Sequence, residues 1–395
     1  MTAITETWSL DSLLTDEALR TSEFPIAKNK IFLSHAAVTA LPRCVADAVC
    51  DYTRASCNDQ QEFAGVLDVI RDTRRAAADL IKAQPNEIAL LGPTSLGLSL
   101  FANGLPWNTG DEILCYLDDY PANVYPWLDL ERAHGVKINY VKPDTPGHIT
   151  PDLVSAHLTP RTRLVALASC HFLTGYRINV DAIGQLLHDR GILFSLDAIQ
   201  TIGAFPTEMT HVDFMSADAH KWMLGPMAIG IVYVAEKHFD LLRPSLLGAW
   251  NVKSPNFITQ PEISFHPSAQ RYEPGVLNAA GVYGMKAALD MILALGIENI
   301  AARLITLKTH LVAGLKTRDF QILPPTVSEN ASAITTFHHP HIDTSALFKY
   351  LAQNNIVCSD RRDRQNNALL RLSPHFYNTT AEIDHTLALI DDFRA

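Results

Sequence analysis

The chain has 395 residues, 47% of them apolar and 19% charged, with a formal charge of −10 at pH 7 and a pI near 5.9. That is enough apolar material for a sizeable core, arranged by length in two or three structural units. The acidic balance argues against nucleic acid or an anionic membrane as partner, because no block of Lys and Arg offsets it. At the N-terminus, MTAITETWSLDSLL lacks the charged and then apolar regions of a signal peptide, and no run of about 18 apolar residues follows anywhere, which predicts a cytoplasmic protein.

Seven short apolar runs come next in chain order: EIALLG (87–92), DEILCYL (111–117), VKINYVK (136–142), TRLVALAS (162–169), GILFSLDA (191–198), VDFMSADA (212–219) and AIGIVYV (228–234). Most are continuous rather than alternating, as strands covered on both faces should be. Helical patterns separate them, for example VDAIGQLLHDRG (180–191), with Asp181 early and Gly191 as a stop. Strand and helix in alternation predict a mostly parallel α/β sheet with ligands at the carboxyl ends of the strands. From about Pro244 to Pro274 the chain is Pro-rich and irregular, and AAGVYGMKAALDMILALG (279–296) then reads as one long amphipathic helix. The remainder reads as a small C-terminal α+β domain. Within it, RRDR (361–364) reads as a solvated charge run and HHPH (338–341) as a His-rich turn. The six cysteines contain no CxxC pair, which fits reduced thiols, and no metal is expected.

Four stretches carry chemistry. LLGPTSLGLSLFANGL (90–105) runs from a strand through a Gly-Pro turn into a helix opening on Thr94 and Ser95, an anion site suited to phosphate or simply an N-cap. YLDDYPANVYPW (116–127) supplies Tyr120, able to stack on a flat heteroaromatic ring or to pack in the core. FSLDAIQTIGAFP (194–206) puts Asp197 at the end of an apolar strand, where a carboxylate needs a cationic or strongly donating partner unless it merely caps the next helix. Gln200 lies three residues on. SADAHKWMLGPMAIGIVYV (216–234) brings Lys221 to a strand end, where desolvation can free its amine for attack on a carbonyl, though a lysine snorkelling there has the same sequence. A nicotinamide-dependent dehydrogenase is disfavoured because the GxGxxG fingerprint is missing.

In this order, hydroxyl-bearing helix start, aromatic, DAIQ, then HK, the chain resembles the class V aminotransferase group of fold-type I pyridoxal phosphate enzymes, which includes cysteine desulfurases, kynureninases and isopenicillin N epimerase-like proteins. The resemblance spans nearly the whole chain, with support from IFLSHAAVTALP (31–42), FLTGYR (172–177), RYEPGVLN (271–278) and LRLSPHFYNTTAEID (370–384). It implies a large cofactor domain (31–285) with a mostly parallel seven-stranded sheet, a small C-terminal α+β domain (286–395), an N-terminal segment (1–30) packing on the latter, and a homodimer. It also implies that Lys221 forms the Schiff base with pyridoxal 5'-phosphate, Asp197 pairs with the pyridinium nitrogen and Gln200 contacts the phenolate oxygen. Thr94, Ser95 and His220 would hold the phosphate, Tyr120 would stack on the ring, and Arg371 would bind the substrate carboxylate. Trp250 would reach a phosphate across the dimer interface, while Val276 replaces a threonine that many relatives use there. His35 would approach the substrate and His171 the ring.

Among the reactions this cofactor supports, the reading favours amino-group transfer from a small amino acid to a keto acid, with a lyase (C–S or other β-elimination) or an isopenicillin N epimerase-like epimerase as the alternative. A persulfide-type cysteine desulfurase is set aside, because Cys358 in NNIVCSD falls within a strand and the following RRDRQNN (361–367) has no cysteine.

Overall fold

A computed structural model describes residues 9–394, so residues 1–8 of the expected N-terminal segment lie outside the described residues. Two short helices, Leu10–Thr15 and Glu17–Glu23, lead into β1 (Ile31–Phe32) and two long helices, Arg43–Ser56 and Val66–Ile81. The seven apolar runs then become β2 (Ile88–Leu90), β3 (Glu112–Cys115), β4 (Lys137–Tyr140), β5 (Thr162–Ala168), β6 (Leu193–Asp197), β7 (Phe214–Asp218) and β8 (Gly230–Val234). They form one sheet in the order β2-β8-β7-β6-β5-β3-β4, parallel throughout except for β8, which runs against both neighbours. The central strands β5 to β8 are buried along nearly their whole length, which explains their unbroken apolar sequences.

Two glycines are dictated by close approach around β8, the strand between β2 and β7. A Cβ on Gly92 would lie 2.6 Å from the Ile229 backbone nitrogen, and one on Gly230 would lie 2.4 Å from the Ala217 carbonyl oxygen. Both contacts are with backbone, which cannot rotate away.

The helix Ala279–Leu295 packs against both long N-terminal helices and is buried on most sides, so the expected amphipathic helix is instead largely apolar all round. The boundary expected at 285/286 falls inside it. After helix Ile297–Lys316 come β9 (Gln321–Ile322), β10 (Thr335–His338), β11 (Ile356–Val357), β12 (Ser359–Arg362) and β13 (Ala368–Leu372). Strands β12-β13-β10-β9 form a small antiparallel sheet, and β11 pairs in parallel with β1.

The beginning of the chain is thus bound to its end. Arg20 Nη1 donates to Glu382 at 2.8 Å, and the Phe24 and Tyr377 rings stack at 4.0 Å. The segment after β1 bridges two bodies: Ser373 N donates to Leu33 O at 2.7 Å, and Thr39 N to His220 O at 2.8 Å.

Candidate active site

A cavity of about 410 Å³ opens where the carboxyl ends of the parallel strands face the small sheet. Eight residues singled out in the sequence line it: Thr94, Ser95, Tyr120, Asp197, Gln200, His220, Lys221 and Arg371. Each follows from the topology. Thr94 and Ser95 open the helix Thr94–Gly104 beyond β2, Tyr120 follows β3, Asp197 ends β6 and Lys221 lies just past β7.

Lys221 is buried and makes no side-chain hydrogen bond among the described residues; its Nζ stands 5.3 Å from the centre of the Tyr120 ring. Burial pushes its pKa down to about 8; the nearby charges of Arg371 and Arg361 act in the same direction, and Asp197 acts against them. Asp197 is equally enclosed. Among the described residues its carboxylate accepts one hydrogen bond, from Ile199 N at 3.1 Å, and burial raises its pKa against the pull of that N–H and of Lys221. A buried carboxylate with so little support calls for a cation or a strong donor.

Gln200 is oriented by what surrounds it. Trp222 Nε1 donates to Gln200 Oε1 at 2.7 Å, and an indole N–H can only donate, so the amide nitrogen must be the other end. One of its N–H groups goes to Ala36 O at 3.1 Å, leaving the second for the cavity.

Elsewhere in the cavity wall, Thr94 Oγ1 accepts from Asp218 N at 2.9 Å, so its own proton remains available, and Ser95 Oγ makes no hydrogen bond among the described residues. The first N–H groups of this eleven-residue helix have no partner within it. His220 Nδ1 lies 2.9 Å from Asp218 Oδ2 but is poorly aligned for a hydrogen bond. Donors, hydroxyls and a helix N-terminus together make an anion cradle.

Arg371, on β13, is buried, and Nη1 donates to Phe172 O at 2.5 Å while Nε and Nη2 have no partner. Burial pushes its pKa down to about 9, with Arg361 adding repulsion. Arg361 also lines the cavity, which corrects the reading of RRDR as solvated loop. The run lies partly in β12: Arg361 faces inward, Arg362 is exposed, and Arg364 pairs with Asp118. Strand alternation could have separated these residues; the charge run concealed it.

Two residues expected near the substrate and the ring, His35 and His171, are absent from the cavity wall. His35 is buried with Nδ1 on Ser373 O at 2.9 Å and Nε2 on Tyr377 Oη at 3.0 Å. His171 is held by Thr174 Oγ1 and Asp118 O, both at 3.0 Å, and burial pushes its pKa down to about 4. With both ring nitrogens engaged inside the protein, neither is directed at a ligand. Trp250, expected at the phosphate of a second copy rather than in this wall, lies in the irregular segment beyond β8.

The residues present fit pyridoxal phosphate: an unbonded amine for its aldehyde, a weakly supported carboxylate for its ring nitrogen, an N–H for its phenolate oxygen, and the cradle for its phosphate.

The family model for Aminotransferase class-V matches residues 31–386. A relative from Pyrococcus abyssi named a probable cysteine desulfurase is 25% identical over 392 residues, covering 94% of this chain and 96% of its own. The apo structure of a cysteine desulfurase from Thermococcus onnurineus superposes with a TM-score of 0.88 at 22% identity, covering 95% of this chain and 97% of that one. The cystine C-S lyase C-DES, solved with its product cysteine persulfide, gives 0.85 at 20% identity, covering 93% and 99%. These relatives overturn the preference for amino-group transfer and the exclusion of desulfurase chemistry. That exclusion rested on the position of a single thiol, whereas the similarity to sulfur-removing enzymes extends over nearly the whole chain.

Proposed function

Because this chain belongs to the aminotransferase class-V family, has the fold-type I architecture and uses pyridoxal phosphate, we propose that it breaks the carbon–sulfur bond of a cysteine-type amino acid. The observation that carries this reading is a buried Lys221 amine with no hydrogen bond among the described residues, sharing one cavity with the Asp197 carboxylate and with Arg371, whose Nε and Nη2 are unpartnered. The names of the relatives point to sulfur as the group removed.

When bound, the cofactor supplies an electron sink for the pair left at Cα when a bond there breaks. The chain's own residues do the rest. Lys221 anchors the aldehyde carbon and, once displaced by substrate, is the base that takes the Cα proton, a task suited to an amine with pKa near 8. Asp197 keeps the ring nitrogen protonated, Gln200 donates to the phenolate oxygen, and Thr94, Ser95 and His220 hold the phosphate. Arg371 fixes the substrate α-carboxylate in bidentate fashion, orienting Cα. Tyr120, whose ring centre lies 5.3 Å from Lys221 Nζ, would stack on the cofactor ring. The Cβ–S bond then breaks with sulfur taking the bonding electrons.

In this reading the enzyme works in the cytoplasm as a homodimer. Support for a second copy comes from exposed apolar side chains in the irregular segment, Leu246, Leu247, Phe257 and Ile258 among them, and from Val276 just after it. Among the described residues no helix is long and apolar enough to cross a membrane. The test is incubation of holoenzyme with cysteine and with cystine, measuring released reduced sulfur together with alanine and pyruvate. Sulfur release that Lys221→Ala abolishes is the expected result. Amino-group transfer to a keto acid with no sulfur released would overturn the reading.

A further inference from the structure

Beside Asp197 lies a second buried carboxylate, and the proposed mechanism gives it no role. Asp119 stands in the turn that follows β3, and its Oδ1 accepts from Tyr120 N at 2.8 Å. Its Oδ2 accepts from Asn123 Nδ2 at 3.0 Å and from Ala168 N at 3.1 Å. Ala168 is the residue that faces Asp197 across the register of β5 and β6. The two carboxylates also share a void of about 10 Å³, room for one water at most, with Lys221 the one cationic side chain among the residues that line it.

Two anions enclosed together repel, so one of them holds a proton more tightly than a free carboxyl would. Burial and the charge of Asp197 raise the pKa of Asp119 to about 7, while its three N–H donors pull the other way. With two hydrogen bonds on Oδ2 and one on Oδ1, a proton has a single free place, on Oδ1. The other titratable groups around it are silent near pH 7. Burial pushes Cys115, Tyr116 and Cys170 up and His171 down, so all four are neutral, and Asp118 is engaged by Arg364.

The roles set out under the proposed function bring one new positive charge into this wall, the ring nitrogen beside Asp197. We propose that Asp119 is the proton-carrying second member of the ring-nitrogen site, neutral while the site is empty and ionised once that nitrogen arrives as a cation. The Oδ1–H bond is the only one to break, and its proton leaves to solvent. The wall thus gains a second negative charge only when a positive one is there to meet it. The inference rests on Asp197 as partner of the ring nitrogen and on no choice of reaction.

The test counts protons. Pyridoxal phosphate is bound to full-length cofactor-free protein at about pH 6.5 in buffers of different ionisation heat, and the slope of the calorimetric enthalpy gives the protons released per site. Lys221 and the cofactor's own groups contribute alike in every variant, so the excess of wild type over Asp119→Asn isolates this carboxyl. It should be about half a proton and should fade as the pH is raised past about 8. It should be absent with the deaza analogue of pyridoxal phosphate, whose ring has C–H in place of nitrogen, and Asp119→Glu should keep part of it. Asn123→Ala leaves the carboxyl in place but removes a donor to its charged form, so its release should persist to higher pH. Equal release from wild type and Asp119→Asn overturns the proposal, as does an excess that the deaza analogue also shows. So does Asn123→Ala moving the release to lower pH or not at all, which would make Asp119 a structural clasp for the Tyr120 turn. A protein that gives the expected count yet frees no sulfur from any substrate would lose the proposed function and keep this proton site, so the two fail separately.

Discussion

The state of Lys221 can be tested through the pH dependence of cofactor capture. Its pKa is lowered from the ordinary 10.5 to about 8. At pH 7 a group titrating near 8 is about 9% free amine and one titrating at 10.5 about 0.03%, a gap of roughly 300-fold in available nucleophile. The second-order rate at which cofactor-free protein takes up pyridoxal phosphate, followed by visible absorption in stopped flow between pH 6 and 10, should therefore rise with pH and level off near pH 8. Two substitutions then separate the causes. Arg371→Gln removes a positive neighbour, so the ammonium becomes easier to keep and the inflection moves up; Asp197→Asn removes a negative one, so it moves down. Each unit of movement is a tenfold change in free amine well below the inflection. An inflection above pH 10 in the wild type, or both variants moving it the same way, would refute the account of a desolvated lysine tuned by opposing charges.

Asp197→Ala should still capture the cofactor through Lys221 yet lose about 10²–10⁴-fold in turnover, since nothing then holds the ring nitrogen protonated; near wild-type kcat would argue that this carboxylate is structural. Trp222→Phe removes the donor that fixes Gln200, and the rate of cofactor loss on dilution should increase about tenfold, the equivalent of one hydrogen bond. Unchanged retention would mean that the amide does not face the cofactor. Gly230→Ala forces a methyl group against the Ala217 carbonyl and the Asp218 backbone, and should cost about 1–3 kcal/mol in urea unfolding. Because Asp218 N anchors Thr94 Oγ1, the same variant should bind inorganic phosphate more weakly; unaltered stability and phosphate affinity would show that strand β8 yields without disturbing the cradle.

Much of this architecture was legible in the sequence because β5 to β8 are covered on both faces and have to be written as continuous apolar runs. The positions of Asp197 and Lys221 could be read from the same runs, since a charge at the inner end of a buried strand has few uses. His35 and His171 were harder to judge. The partners that occupy His35, Ser373 and Tyr377, lie at the other end of the chain, and nothing local marks the histidine as already satisfied. Trp222 was visible beside Lys221, but its bond to Gln200 joins two turns that only the sheet brings together. Arg361 was concealed by its charged neighbours, because a two-residue alternation across RRDR shows only once the strand pairing is known. The choice of reaction was the least legible, for elimination, transfer and epimerisation call on the same lysine and carboxylate.

The stretch from Leu33 to Thr39 holds Ser373 with one end and His220 with the other. The pocket is therefore latched by residues whose partners emerge from the ribosome hundreds of positions later, and contacts of such long range form slowly. Until Ser373 has been made, the loop bearing the reactive amine is without its fastening to the small sheet, and a nascent polypeptide offers the vitamin no enclosed seat.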